Sequence, residues 1–202
     1  MNVMLKSLGW AAALGLLAGC SSFRTYSDEV VSQAERQKLS LRHYSSPRPE
    51  GLGHDNQRYE FAPVEVKGLF AGLRASRYRY LQWEDAVPVF GEKEIEFLAA
   101  GLSEGLKRIN QGERMAFSLR DENWDSLSGE MFIWNGTFHF LLWEYRNDQF
   151  YLQNRPPDSA KATWRLVPGT GQAYHQEAGS WRTTEYPCWL EIPISNLEEQ
   201  KL

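Results

Sequence analysis

The chain has 202 residues, of which 42% are hydrophobic and 13% aromatic, and its formal net charge is −4. This length and composition are typical of one folded domain with a sizeable core, and they exclude an intrinsically disordered chain. The mild acidity argues against a nucleic-acid partner, because a basic surface supplies most of the affinity for phosphate backbones.

The first 19 residues have the features of a secretory signal peptide. Lys6 gives a positive start, residues 8–17 form an apolar stretch, and two small residues precede Cys20. The apolar stretch is too short to span a bilayer, which needs about 20 residues. We therefore expect residues 1–19 to be removed. Cleavage leaves 202 minus 19, or 183, residues, and the loss of Lys6 changes the net charge from −4 to −5.

The motif Leu17-Ala18-Gly19-Cys20 resembles the lipobox of bacterial lipoproteins. The resemblance covers the first 22 residues. It implies that Cys20 is diacylated on sulfur with fatty acids such as palmitate, freed by cleavage and then acylated on nitrogen. Two or more acyl chains make a stable membrane anchor, since each buried CH₂ contributes about 0.8 kcal/mol. Members of the family with Asp after the cysteine tend to stay in the inner membrane. Ser21 at that position favours the outer membrane with the domain facing the periplasm, and leaves the inner membrane and the cell surface as alternatives.

Residues 20–57 are predicted to be the acylated N-terminus and a flexible stalk. A weak helix is expected from Ser27, because the acidic residues that follow suit the positive end of a helix. Two prolines and two glycines between residues 47 and 53 indicate a linker. The stalk either holds the domain away from the membrane or is a disordered tail that provides reach alone.

Residues 58–202 are predicted to form a periplasmic α+β domain, an antiparallel β-meander with one long helix packed on it. Alternating side chains predict strands within residues 59–70 and 76–83. Helical spacing of apolar side chains predicts a helix from Glu92 to about Asn110, with Gly91 as its cap.

The second half of the domain is predicted to be mostly β-structure, with strands at 113–119, 162–169 and 187–194. Asn135-Gly136 predicts a type I′ hairpin turn that pairs Phe132 with His139, because both central residues of such a turn need positive φ. A second reversal is expected at Asn147-Asp148. The last strand is expected at a sheet edge, because proline cannot donate to a ladder.

The sequence contains no catalytic, cofactor-binding or metal-binding motif. The four histidines (His43, His54, His139 and His175) lack metal-ligand spacing, and a nucleophile elbow and a phosphate loop are both missing. Glu84, Asp85 and the acids at the helix start are the carboxylates that a hydrolase could use, although the helix dipole already explains the latter. Cys188 is interpreted as a buried apolar side chain, with a reactive thiol as the alternative.

Two groups of residues are candidate partner contacts. Gly101 and Gly105 lie one helical turn apart, and each costs a helix about 1 kcal/mol relative to Ala. Close approach to the domain's own sheet or to a partner would offset this cost. Arg74, Arg77 and Arg79 alternate with aromatic residues, which suits either ordinary packing or an anionic contact.

Two functional hypotheses follow from these patterns. The first is an outer-membrane lipoprotein without enzymatic activity, whose domain binds another envelope protein or stabilises an assembly. The alternative is a lipid-anchored hydrolase acting on cell-wall or saccharide substrate. The first is favoured, because the anchor at Cys20 is indicated by a specific motif whereas no reaction centre is.

Overall fold

The computed structural model describes residues 26–44, 57–149, 162–179 and 183–195. The expected signal peptide, Cys20 and most of the expected linker lie outside these residues. Among the helices of the described residues, none is long and apolar enough to cross a membrane.

An antiparallel sheet of eight strands forms the centre of the described part of the domain. Its strands are β1 (Tyr26–Ala34), β2 (Gln37–Tyr44), β6 (Glu113–Arg120), β7 (Ser126–Trp134), β8 (Thr137–Tyr145), β9 (Asp148–Gln149), β11 (Ala173–Ala178) and β12 (Thr183–Pro193). Their order across the sheet is β1-β2-β6-β7-β8-β12-β11, with β9 paired to β8. Strands β6, β7 and β8 follow one another as hairpins. Strand β12, however, lies between β8 and β11, so the full order is not that of a simple meander.

A smaller antiparallel sheet completes the β-structure, and a buried indole links it to the large sheet. It contains β10 (Trp164–Val167), β3 (Arg74–Arg79), β4 (Gln82–Trp83) and β5 (Val87–Pro88). The ring of Trp164 lies 5.7 Å from the ring of Tyr145 in β8. Its indole N–H donates to the carbonyl of Asp148, at 3.0 Å.

Two helices in the described part of the chain, α1 (Pro63–Ala71) and α2 (Glu92–Arg108), also contribute to the core. The long helix α2 begins where the sequence predicts, and the backbone N–H of Gly91 donates to Glu94 Oε2 at 2.8 Å. Its buried leucines (Leu98, Leu102 and Leu106) face the core, with α2 packed on β1, β2 and β6 and α1 packed on α2. The α+β class with a long helix on an antiparallel sheet is therefore confirmed.

The predicted Asn135-Gly136 turn is also confirmed. The two residues have φ of +50° and +70°, and Phe132 pairs with His139 as the turn geometry requires. The next reversal places Arg146 and Asn147 at positive φ, one residue earlier than expected.

Residues 26–44 form a hairpin, which corrects the helix and the flexible stalk that the sequence suggested there. Strand β2 pairs with β6 along its length, and Leu39 and Leu41 are buried while Arg42 lies on the opposite face. The apolar set of this segment is too sparse for a helix face, but it fits the two-residue alternation of a strand.

Two segments predicted as single strands differ in the structure. Residues 63–71 are helical because Pro63 suits the first turn, and Glu65 Oε2 accepts the N–H of Ala62 at 2.7 Å. Residues 76–83 reverse direction at Tyr80-Leu81, and so form the β3–β4 hairpin.

The prediction that the last strand lies at a sheet edge is wrong. Strand β12 has β8 on one side and β11 on the other. Pro187 is tolerated there because the β11 ladder is irregular: Tyr174 pairs with Leu190, and the next residue, His175, pairs with Tyr186. The missing N–H of Pro187 therefore falls where the ladder bulges.

Candidate functional site

Tyr80 and Leu81 form the two-residue turn between β3 and β4. They have φ of +49° and +66°, and they are 93% and 89% exposed. Turns with two positive φ values favour Asn and Gly, whereas bulky side chains are strained in this conformation. The turn therefore combines backbone strain with two large apolar side chains in solvent, a combination that points to a role outside the fold.

The structure separates the three candidate arginines. The side chain of Arg77 is 21% exposed; it donates to the carbonyl of Arg146 at 3.2 Å and its guanidinium lies 5.3 Å from the Tyr145 ring. Arg74 and Arg79 stay exposed at the two ends of β3. Of the three, only these two are accessible to a partner.

Gly101 and Gly105 face the domain's own sheet. A Cβ at Gly101 would lie 2.6 Å from Leu39 Cδ2, and one at Gly105 would lie 2.4 Å from Met115 Sδ. Both glycines are buried. They let α2 approach β2 and β6 closely, which offsets their cost to the helix.

A cleft of about 850 Å³ opens between the β1–β2 turn, the start of α2 and the β6–β7 loop. Glu94 and Asp121 are among the charged residues that line it. Burial raises the pKa of Glu94, although the N–H of Gly91 opposes the shift. Asp121 Oδ1 accepts the N–H groups of Asn123 and Asp125 at 2.8 and 2.9 Å. Both carboxylates therefore accept hydrogen bonds from backbone N–H groups close to them in the chain.

The face of the large sheet turned away from α2 carries a row of charged residues, which we call the polar face. Leu39 and Met115 contact α2, so residues at alternate positions, including Arg42 and Arg114, face the other way. Glu130 is 1% exposed and lies 3.3 Å from Arg42 NH1 and 3.6 Å from Arg114 NH1. This buried carboxylate ties together β2, β6 and β7.

The row extends to the edge strand β1. Arg42 donates to both carboxylate oxygens of Asp28, at 2.8 and 3.1 Å. These hydrogen bonds lower the pKa of Asp28, against an opposing effect of burial. The pairing fixes β1 on the sheet through charge-assisted bonds.

Further along the polar face, β8, β11 and β12 bring together His139, His175 and Glu191, which we call the histidine cluster. His175 Nδ1 lies 2.6 Å from Glu191 Oε1, and His139 Nδ1 lies 3.8 Å from the same oxygen. One ligand-capable atom from each residue lies within 4.8 Å of the other two. The spacing of the histidines in the sequence predicts no metal ligands, and this grouping of two imidazoles with a carboxylate differs from that prediction.

Trp189 forms a wall of the histidine cluster. Its indole N–H donates to His139 Nδ1 at 3.2 Å, and its ring stacks on His175 with 3.8 Å between centroids. Burial, helped by the positive potential of His175 and Arg114, lowers the pKa of His139 to about 3. His139 is therefore a neutral imidazole at physiological pH.

Sequence spacing gave no signal for the histidine cluster, because its members meet only through strand order. His139 and Glu191 are direct cross-strand partners of β8 and β12, and this pairing depends on the insertion of β12 beside β8. The exposed turn was missed for a different reason: Tyr80-Leu81 lacks the Asn and Gly that mark such turns in a sequence.

No protein-family model, no curated protein and no solved structure matches this chain.

Proposed function

We propose that this protein is a binding module of the bacterial cell envelope without enzymatic activity. It is anchored to the outer membrane through acylated Cys20 and docks on another envelope protein through the β3–β4 hairpin. The observation that supports this most is the turn Tyr80-Leu81, whose strained backbone presents two exposed apolar side chains. Asn-Gly at this turn would remove both the strain and the exposed apolar surface. A contact outside the domain explains why Tyr and Leu stand there.

The charges around the turn favour a protein partner over an anionic lipid surface. Arg79 Nε lies 3.8 Å from Glu84 Oε1, and the exposed Asp85 follows. Acidic groups thus lie beside the basic ones, whereas anionic membranes attract clusters of unpaired Lys and Arg. Protein interfaces, in contrast, concentrate binding energy in Tyr, Trp and Arg. Tyr78 and Trp83, 5.2 Å apart at the base of the turn, extend the aromatic surface.

The proposed anchor limits how far the start of β1 can be from the membrane. Strand β1 begins at Tyr26, so six residue steps separate it from Cys20. An extended chain spans at most about 3.5 Å per residue, which places β1 within about 20 Å of the acylated cysteine. The β1 edge of the domain would therefore lie near the membrane surface.

A double substitution, Tyr80→Asn with Leu81→Gly, tests the proposal. Each bulky residue in the left-handed region costs about 1–2 kcal/mol, so we expect the variant to unfold at a higher urea concentration than the wild type. Partner capture should nevertheless be lost. Greater stability with lost binding is the result expected of a functional turn, and a variant that still binds would contradict the proposal.

Photocrosslinking in intact cells identifies the partner. A photoreactive phenylalanine at position 80 should capture one discrete protein, and the same protein should no longer co-purify with the Tyr80→Asn, Leu81→Gly variant. Val64→Ser is the matched control, because Val64 is 73% exposed on α1 and should not affect capture. Crosslinking to lipid alone would overturn the choice of a protein partner.

The cleft at the start of α2 is where the alternative function, a hydrolase, can be tested. Glu94 has a raised pKa and shares the cleft with Asp121, as the acids of a lipid-anchored enzyme acting on cell-wall or saccharide substrate would. Because both acids bind backbone groups, we favour a structural role. Loss of function in a Glu94→Gln variant that folds and still captures the partner would support the hydrolase instead.

A further inference from the structure

We propose that the histidine cluster, His139, His175 and Glu191, is a binding site for a divalent cation of the zinc type. Each residue comes from a different strand, so a bound ion would join β8, β11 and the strand β12 between them. The site is independent of the β3–β4 hairpin, and its function would be to hold the edge strand β11 on the sheet.

The donor set suits zinc in number and chemistry. Two imidazoles and one carboxylate are an established zinc ligand set, in which the fourth position is left for water or another ligand. Tetrahedral ligands with bonds of about 2.0–2.1 Å lie roughly 3.3 Å apart. The two distances to Glu191 Oε1, 2.6 and 3.8 Å, lie on either side of this value. Side-chain shifts of less than about 1 Å would bring both distances to that value.

The charges around the histidine cluster also fit. The positive charge of Arg114 is balanced by its ion pair with Glu130 at 3.6 Å. A cation beside Glu191 therefore meets one carboxylate and no uncompensated positive neighbour among these residues.

Accessibility is asymmetric across the site. The side chains of His139 and His175 are 2% and 9% exposed, whereas that of Glu191 is 33% exposed. An ion can thus enter from the side of Glu191 and complete its coordination with water there. The two imidazoles lie on the opposite side, which is shielded from solvent. Metal binding at His139 Nδ1 would displace the hydrogen bond from Trp189, so the indole is a built-in reporter of binding.

The test uses the full chain in a Cys20→Ala background, so that no N-terminal thiol competes for metal. After removal of metal with a chelator, zinc alone is added in a calorimetric titration, and cobalt alone in an absorption titration. We expect one zinc per chain, cobalt absorption bands of tetrahedral intensity, a rise in Tm with zinc, and a change in tryptophan fluorescence. Trp189→Phe should abolish the fluorescence change but retain zinc binding.

Matched variants locate the site. His175→Ala and Glu191→Gln should each weaken zinc binding by more than about tenfold, since even supporting groups around a metal are worth 10–100-fold. Glu191→Gln preserves shape, which keeps the test valid if His175→Ala folds poorly. His43→Ala, which removes an exposed histidine of β2, should bind as the wild type does. The proposal is overturned if the wild type shows no saturable binding, or if the two cluster variants bind zinc as tightly as it does.

Discussion

Gly129 of β7 lies so close to Leu141 of β8 that a Cβ at position 129 would be 2.3 Å from the Leu141 carbonyl oxygen. The same Cβ would lie 2.7 Å from the ring of Phe117. The β7–β8 register shifts at this point, between Ser128 and Gly129. Glycine is required here because a bulge brings two backbones into close approach.

Gly129→Ala should therefore lower the free energy of unfolding by more than about 2 kcal/mol. A backbone carbonyl and a stacked ring cannot move aside cheaply, and overpacking of a core typically costs 1–3 kcal/mol. Urea denaturation followed by circular dichroism measures the change. An unchanged midpoint would mean that β7 and β8 are not this close at Gly129.

Two helix glycines should respond oppositely to the same substitution. At Gly68 of α1 an added Cβ meets nothing within 4 Å, so Gly68→Ala should raise stability by up to about 1 kcal/mol. Gly101→Ala gains the same helix propensity but drives its methyl group into Leu39, so it should lower Tm.

The same two variants also distinguish two roles for the α2 glycines, packing against the sheet and docking of a partner. If Gly101→Ala folds with unchanged stability but loses partner capture, Gly101 touches a partner and the packing interpretation fails. A double variant with Leu39→Val should recover part of the lost stability, because the two positions are in direct contact.

Elements with strong local signals could be predicted from the sequence. Helix α2 combines apolar spacing with a capping carboxylate at Glu94, and the β7–β8 hairpin has Asn135-Gly136 at its turn. Strand β12 and the β1–β2 hairpin could not be placed, because their stability comes from partners distant in sequence. Leu39, for example, is buried because β2 pairs with β6 and α2 packs over it.

The candidate sites, too, depend on features that the local sequence does not predict. The strain at Tyr80-Leu81 comes from positive φ angles, which the residue types at these positions do not predict. The histidine cluster arises from sheet order, with His175 and Glu191 16 residues apart in the chain but in hydrogen-bond contact. Arg77 alternates with tyrosines, a pattern that suits either ordinary packing or an external contact, and only the fold reveals that its guanidinium packs on Tyr145.

The Asp28–Arg42 pair should make stability depend on pH. Hydrogen bonds from Arg42 hold the pKa of Asp28 below its ordinary value of 3.8. The folded state thus favours the ionised carboxylate, so the stabilisation is complete above pH 3.8 and is lost as the pH falls through the lowered pKa. Asp28→Asn should be less stable than the wild type at pH 7, and the difference should shrink below pH 3.8.

Urea denaturation at a series of pH values measures this difference. Asp85→Asn is the control, because Asp85 is exposed in the loop after β4, and it should change stability little at any pH. A difference between Asp28→Asn and wild type that stays constant down to pH 2 would contradict the role of this pair.

The proposed anchor has a direct chemical test. Cys20→Ala should abolish incorporation of radiolabelled palmitate and weaken membrane association, because acylation at Cys20 is the expected means of attachment. Ser21→Ala is the control and should retain the label. A Cys20→Ala protein that still incorporates palmitate would show that the lipid is attached elsewhere.

The same Cys20→Ala variant leaves Cys188 as the single cysteine of the chain. Cys188 is 0% exposed in β12, and burial raises the pKa of its thiol well above the ordinary value. The thiolate is the reactive form of cysteine, so a thiol reagent at pH 8 should label the native protein very slowly and the urea-unfolded protein at once. The native labelling rate should follow stability, and should therefore be faster in a Gly129→Ala background. Rapid labelling of the native wild-type core would instead support the alternative that Cys188 is a reactive thiol.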